Sequence, residues 1–181
     1  MQRVALPVDS QGFVRRECPR CRRQFKVRGG PTDGAIVQRY LGRHLSFENH
    51  QEIARDDVRS FCPYCGYEAP ADEWCTPQQR AWLEKVADVL GREIRYEQLQ
   101  YPWRTLGANP GPTFVAVPPP DRLPEMRSED DDLRRFSLFC CAEDVKVDTA
   151  WAQPIFCPRC GSEHTGGHER RIELHVDPLQ A

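Results

Sequence analysis

Three Cys-x-x-Cys pairs carry the visible chemistry of this 181-residue chain: Cys18-Pro-Arg-Cys21, Cys62-Pro-Tyr-Cys65-Gly66 and Cys157-Pro-Arg-Cys160-Gly161. An adjacent Cys140-Cys141 stands ahead of the last pair. Two thiolates separated by two residues can grip one ion from a tight turn, and two such grips complete a tetrahedron of sulfur. Proline after the first cysteine and glycine after the second let the backbone wrap the ion, with amide N–H groups turned toward the sulfurs. Eight of the nine cysteines suffice for two four-thiolate structural zinc sites.

Cys18, Cys21, Cys62 and Cys65 follow the spacing Cys-x2-Cys-x40-Cys-x2-Cys. The 40 intervening residues exceed a usual ribbon spacing, so an inserted helical element is expected between the knuckles. A rival reading exists for Cys62-Pro63-Tyr64-Cys65, which has the letters of a glutaredoxin active site. Such a redox pair opens a helix whose N-terminal dipole lowers the pKa of the attacking thiol, whereas Gly66 and Glu68-Ala69-Pro70 extend poorly into a helix. At the second site Cys157, Cys160 and Cys140 leave the fourth ligand open among Cys141, His164, His168 and His175. Cys141 is favoured, and neighbouring cysteines can reach one ion only where the backbone bends sharply, as at a bulge. Cys75 reads as a small apolar filler, with a reactive thiol as its alternative; His44 and His50 read as solvated.

With these motifs the chain resembles the zinc-ribbon superfamily with its rubredoxin-like knuckles, over residues 13–75 and 136–176. It is also similar to bacterial double zinc-ribbon proteins, which pair an N-terminal ribbon and helix with a C-terminal ribbon. The resemblance implies a scaffold whose loops bind protein, DNA or RNA.

The elements that must position the sulfurs are short. Residues 13–28 read as two strands around the first knuckle, with Phe25 and Val27 alternating with Gln24, Lys26 and Arg28, so that one apolar face turns inward. Gly29 to Gly34 reads as a turn, followed by an ambiguous stretch to Arg59 that is helical from Ser46 to about Asp57. The clearest helix has Thr76 as N-cap, Pro77 at its first position and Gln79 as capping-box partner. Trp82, Leu83, Val86, Val89 and Leu90 then recur at helical spacing. Gly91 either ends this helix or weakens it. Residues 101–135 are rich in proline and close on Glu129-Asp130-Asp131-Asp132, the composition of an extended linker, within which Thr113–Val117 has strand character. Phe136 to Gly161, then Arg171–Val176, read as strands around the second site. The expected architecture is a small metal-stabilised α+β protein: two zinc ribbons of short antiparallel strands, one main amphipathic helix and an extended Pro-rich linker. Its divisions fall at 13–100, 101–135 and 136–176.

Hydrophobic residues make up 39% of the chain and charged residues 29%, so apolar burial in each half is thin. Structural zinc, which contributes on the order of 10 kcal/mol to folding, offsets that deficit. Met1 to Pro7 lacks a signal-peptide apolar stretch, no run is long enough to cross a bilayer, and an odd number of mostly paired cysteines suits reduced thiols in a cytoplasm. The formal charge of −2 is uneven: residues 1–50 hold 10 basic and 4 acidic side chains, the remainder 15 and 23.

Closed four-thiolate sites have no room for a reactive water. The sequence also lacks a phosphate-cradling glycine loop, a His-Glu-x-x-His helix and a deaminase signature, so a non-enzyme is expected. A protein-interaction adaptor, or accessory subunit of a larger assembly, would use Glu129 to Asp132, Trp103, Trp151 and the helix from Thr76 as contact surfaces. Nucleic-acid binding would instead use Arg15, Arg16, Arg20, Arg22, Arg23, Lys26 and Arg28, interleaved with Phe13 and Phe25. Those cations equally suit the screening of a tetrathiolate zinc, which carries −2.

Overall fold

The first Cys-x-x-Cys turn joins β1 (Phe13–Glu17) to β2 (Gln24–Arg28) as an antiparallel hairpin. The computed structural model describes residues 4–45, 59–106 and 122–165. Two further hairpins carry the other knuckles: β3 (Arg59–Phe61) with β4 (Glu68–Pro70), and β7 (Ile155–Phe156) with β8 (Glu163–His164). Between them in the chain, β5 (Arg134–Leu138) and β6 (Glu143–Val147) flank the Cys140-Cys141 turn. β2 pairs with β6, which makes one sheet of order β1-β2-β6-β5. The sequence leaves open whether the two cysteine-bearing halves touch; this pairing joins them.

The two halves are related by a pseudo-two-fold repeat. Lys26 stands directly opposite Lys146 in the β2–β6 pair. The hairpins beginning Phe61-Cys62-Pro63 and Phe156-Cys157-Pro158 exchange backbone bonds reciprocally: Phe61 N–H donates to the Pro158 carbonyl at 2.9 Å, and Phe156 N–H to the Pro63 carbonyl at 3.0 Å. Each phenylalanine ring also sits against the glycine of the opposite knuckle, Phe156 on Gly66 and Phe61 on Gly161. A Cβ at Gly161 would lie 2.9 Å from the Phe61 ring, and both glycines have positive φ, 65° and 71°. Glycine is the residue that meets both demands.

One face of the sheet presents Val14, Phe25, Val27, Val145 and Val147 by strand alternation. Phe25 meets Trp74 and Tyr64 edge to face, with centroids 5.6 and 6.4 Å apart, and Leu138, Ile155 and Ala69 complete this cluster. Tyr64 is tied at both sides: its hydroxyl donates to the Gln24 carbonyl at 2.6 Å and accepts from Asp148 N–H at 2.9 Å. A second cluster, Leu6, Val14, Ile36, Val37, Ala71, Cys75 and Leu83, lies under the helices.

Helix α1 (Pro31–His44) corrects the expected turn at Gly29 to Gly34. Gly30 is its N-cap and Pro31 occupies the first turn, where a missing N–H costs nothing. Asp33 reaches back so that its Oδ2 accepts Gly30 N–H at 2.7 Å. The glycines and proline that suggested a break are a start signal, and burial of Ile36 and Val37 outweighs the poor propensity of Gly34. Helix α2 (Pro77–Leu106) opens with the expected reciprocal box, Thr76 N–H to Gln79 Oε1 at 3.0 Å and Gln79 N–H to Thr76 Oγ1 at 3.1 Å. It runs through Gly91 for 30 residues, about 45 Å. The segment Ser46 to Asp57, the expected strands Thr113–Val117 and Arg171–Val176, and residues 107–121 of the Pro-rich stretch lie outside the described residues.

The opposite face of the sheet holds a row of four cations. Arg15 stands opposite Lys26, Lys26 opposite Lys146, and Lys146 opposite Arg135. Like charges directly opposed destabilise a sheet, and Lys26 and Lys146 are buried here, at 0% and 2% exposure, where alternation had assigned Lys26 to the polar side. Their anions come from distant chain. Asp9 Oδ2 accepts Lys146 Nζ at 2.7 Å and Lys26 Nζ at 3.3 Å, while its Oδ1 accepts the N–H groups of Gln11 and Phe13. Glu129 to Asp132 lies over the row as a strap: Arg15 pairs with Glu129 and Asp132, Lys26 with Asp132, and Lys146 with Asp131. Burial opposes ionisation of Asp9, but the bonds from Lys146, Phe13 and Gln11 outweigh it and hold the carboxyl well below the usual range. A carboxyl depressed in the folded state contributes fully above its unfolded value, near 4, and loses that contribution as pH falls below it. At pH 7 the Asp9→Asn substitution is therefore expected to cost about 3–5 kcal/mol, because it leaves two buried ammonium groups short of their shared anion. Denaturant titration of the metal-loaded protein measures this, and an unchanged midpoint would refute the role given to Asp9.

Candidate metal centres

Each knuckle is shaped by the residue after its last cysteine. Arg22, Gly66, Ala142 and Gly161 all take left-handed backbone, with φ of 61°, 65°, 50° and 71°. In the three Cys-x-x-Cys turns that residue's N–H donates to the carbonyl of the first cysteine at 2.9 Å: Arg22 to Cys18, Gly66 to Cys62 and Gly161 to Cys157. The sulfurs also receive backbone donors, Cys21 N–H to Cys18 and Tyr64 N–H to Cys62, both at 3.4 Å. At Cys140-Cys141 the bend comes from the β5–β6 turn with Ala142 left-handed, where the sequence suggested a bulge.

The folded chain gathers the sulfurs into two groups, Cys18/Cys21/Cys62/Cys65 and Cys140/Cys141/Cys157/Cys160, and all four in each lie within 4.8 Å of one another. Cys18 and Cys65 sulfurs are 3.8 Å apart, Cys21 and Cys62 3.7 Å, and Cys140 and Cys160 3.5 Å. A tetrahedron with bonds of about 2.3 Å has edges of about 3.8 Å, so both groups could hold a metal ion. The Cys62–Cys65 turn joins two strands and opens no helix, and its sulfurs face those of Cys21 and Cys18. That arrangement removes the basis of the redox reading.

Electrostatics of the bare sulfurs point the same way. In the first group burial pushes Cys62 far up and Cys21 to about 11, while Cys18, against the burial, is drawn down by the N–H groups of Cys21 and Arg20. In the second, the Ser162 hydroxyl and N–H draw Cys160 down to about 6, while Cys140, an exposed residue whose sulfur its neighbours partly shield from water, is raised by that desolvation and by Cys157, and Cys141 by Cys160. In each cluster one thiol is thus drawn down while two of its neighbours are pushed up.

The other expected site residues fall out as follows. His164 Nε2 lies 3.2 Å from Cys140 Sγ, a nitrogen at the rim of an already complete sulfur set. His168, His175 and His50 lie outside the described residues, as do the side chains of His44 and Trp103. Cys75 is buried in the helix-side cluster with its thiol pushed up by burial, which suits a filler. Trp151 packs on Tyr64 at 4.9 Å between centroids, with Arg23 4.8 Å above its ring.

The basic residues around the first knuckle have partners within the chain. Arg16 pairs with Asp33, Arg22 with Glu17 and Arg28 with Asp144, in addition to the bonds of Arg15 and Lys26 to Asp9 and the strap. Arg20 lies over Tyr67 and Arg23 over Tyr64. Sequence reasoning missed Asp9 and Lys146 altogether; a lysine between two valines, Val145-Lys146-Val147, was the available signal.

Two four-cysteine groups on short antiparallel hairpins are compatible with zinc ribbons. Among known proteins, no family model matches the chain, no curated protein matches it, and no solved structure matches it.

The centres differ in access. Cys18 and Cys62 are fully buried, whereas Cys140 and Cys160 are exposed. A chelator is expected to strip metal in two phases of equal amplitude, the faster from the second centre. Cys140→Ser should abolish the fast phase and leave the slow one, as followed by a colorimetric metal indicator; release in one phase would contradict this assignment.

Proposed function

We propose that this chain is a non-catalytic zinc protein, its two ions structural, that serves as a protein-interaction adaptor or accessory subunit of a larger assembly. Zinc is the divalent ion that suits a tetrahedral set of sulfurs alone. Four sulfurs around each ion leave no coordination position for substrate or a reacting water, so the metal holds the fold. Reduced thiols in such sites suit the cytoplasm, and among the described residues no helix is long and apolar enough to cross a membrane.

The observation that carries the adaptor reading over nucleic-acid binding is the internal engagement of the basic side chains. For Arg15 or Lys26 to contact a phosphate, bonds to Glu129, Asp132 or Asp9 must first break. Helix α2 would offer a surface to a protein partner: among its described side chains the last buried one is Val89, and none from 91 to 98 is buried. The nucleic-acid reading keeps support from Arg20, Arg22 and Arg23, which are exposed beside the first knuckle.

Purified protein is expected to contain two zinc ions per chain by elemental analysis. Their chelation is expected to unfold it, with loss of the near-ultraviolet tryptophan signal. A bound protein that survives nuclease treatment and is lost on Arg92→Glu with Arg95→Glu supports the adaptor. A complex that nuclease destroys, that Arg22→Glu with Arg23→Glu abolishes, and that weakens by about one log unit per phosphate contact per log of salt would replace it with nucleic-acid binding.

A further inference from the structure

The two four-cysteine groups meet solvent differently. In the first, Cys18 and Cys62 are buried in the main apolar cluster, and Cys21 and Cys65 are half-buried. In the second, Cys157 alone is buried there, Cys141 is half-buried, and Cys140 and Cys160 are exposed. The sulfur contacts follow the same division. Those between Cys18 and Cys65 and between Cys21 and Cys62 are partly buried, whereas the contact between Cys160 and Cys140, 3.5 Å long, lies at the exposed surface. Oxidation of a thiolate depends on its exposure and on a second cysteine within reach to complete a disulfide. The second group meets both conditions; the first lacks the exposure.

The exposed pair also joins separate elements. Cys160 belongs to the knuckle between β7 and β8, and Cys140 to the turn between β5 and β6. Two polar groups stand at the rim: the Ser162 hydroxyl is 3.2 Å from the Cys160 sulfur, and His164 Nε2 is 3.2 Å from the Cys140 sulfur. Both can hydrogen-bond a small polar oxidant beside the sulfurs. Metal-bound cysteine is held as thiolate, the nucleophilic form.

We infer that the second centre is a peroxide-sensitive switch, in which Cys160 and Cys140 close to a disulfide and give up the metal ion while the first centre keeps its own. The Cys160 thiolate attacks one oxygen of hydrogen peroxide, the O–O bond breaks, and hydroxide leaves as a sulfenic acid forms on sulfur. The Cys140 thiolate then attacks that sulfur, forming the S–S bond and expelling a second hydroxide. Two electrons pass from the sulfurs to the peroxide, and the two hydroxides take protons from solvent to become water. Cys141 and Cys157 remain as two donors where a closed site needs four, so the ion leaves as the divalent cation. The β7–β8 hairpin, two residues per strand, then loses its hold on the first ribbon, where Phe61 N–H donates to the Pro158 carbonyl and Phe156 N–H to the Pro63 carbonyl. The disulfide keeps the hairpin tethered to the β5–β6 turn, so thiol reduction in the presence of zinc rebuilds the centre. This inference rests on the structural-zinc reading and adds a regulation that the adaptor reading does not contain.

The test treats the zinc-loaded full chain with a small excess of hydrogen peroxide in thiol-free buffer, after elemental analysis of the starting protein. Half of the bound zinc is expected to leave, followed with a colorimetric indicator, about tenfold or more faster than the remaining half. Peptide mass spectrometry should find Cys140 joined to Cys160, with Cys18, Cys21, Cys62 and Cys65 still reduced. Hydrogen exchange should rise over residues 155–164 and stay unchanged over β1 and β2. Dithiothreitol with added zinc should reverse all three changes. A starting protein without zinc would overturn the structural-zinc reading and this proposal together. Two zinc ions at the start that are then retained in peroxide, lost at one common rate, or lost with Cys140 and Cys160 still reduced would overturn the switch alone.

Discussion

Four thiols held within bonding distance of one ion are an unfavourable arrangement without that ion, and this chain contains two such groups. Their first cysteines, Cys18, Cys62 and Cys157, are also members of the main apolar cluster, alongside Phe25, Trp74, Tyr64 and Val145. Sulfur centres and oily core are therefore one contiguous structure. The hairpins that close the centres are only two or three residues per strand on the C-terminal side of each ribbon. Strands this short have little stability by themselves. Metal ions bound by the sulfurs would hold them, and the Phe61/Pro158 and Phe156/Pro63 exchanges tie one four-cysteine group to the other.

Charge completes what sulfur begins. The β2–β6 pairing that joins the two halves places Lys26 against Lys146 inside a row of four cations, an arrangement the sheet could not keep unaided. Asp9 from the N-terminal segment and Glu129 to Asp132 from ahead of β5 neutralise it. A stretch with the composition of a solvated acidic tether thereby becomes part of the fold. The same bonds engage Arg15 and Lys26 within the chain, while Arg20, Arg22 and Arg23 stay exposed.

Local signals were readable in the sequence, and distant ones were not. The knuckles follow from Cys-Pro-x-Cys spacing, and the start of α2 from Thr76, Pro77 and Gln79, because each depends on neighbours within four residues. The gathering of Cys140-Cys141 with Cys157 and Cys160 also agrees with the sequence, although the bend proved to be a left-handed turn residue. Gly-Gly-Pro reads alone as a breaker, but proline at a first turn with aspartate two residues later marks the beginning of α1. The burial of Lys26 and Lys146 could not be read locally at all, since their shared anion lies 17 residues from one and 137 from the other.

X-ray absorption at the zinc edge of the intact protein tests the central claim most directly, since it counts the atoms bound to each ion. Two zinc ions per chain with a shell of sulfur only, four atoms at about 2.3 Å, is the expected spectrum. A nitrogen or oxygen shell making up a large share of the ligands, or thiols found as disulfides with no metal bound, would contradict the claim that two tetrathiolate centres hold this fold together.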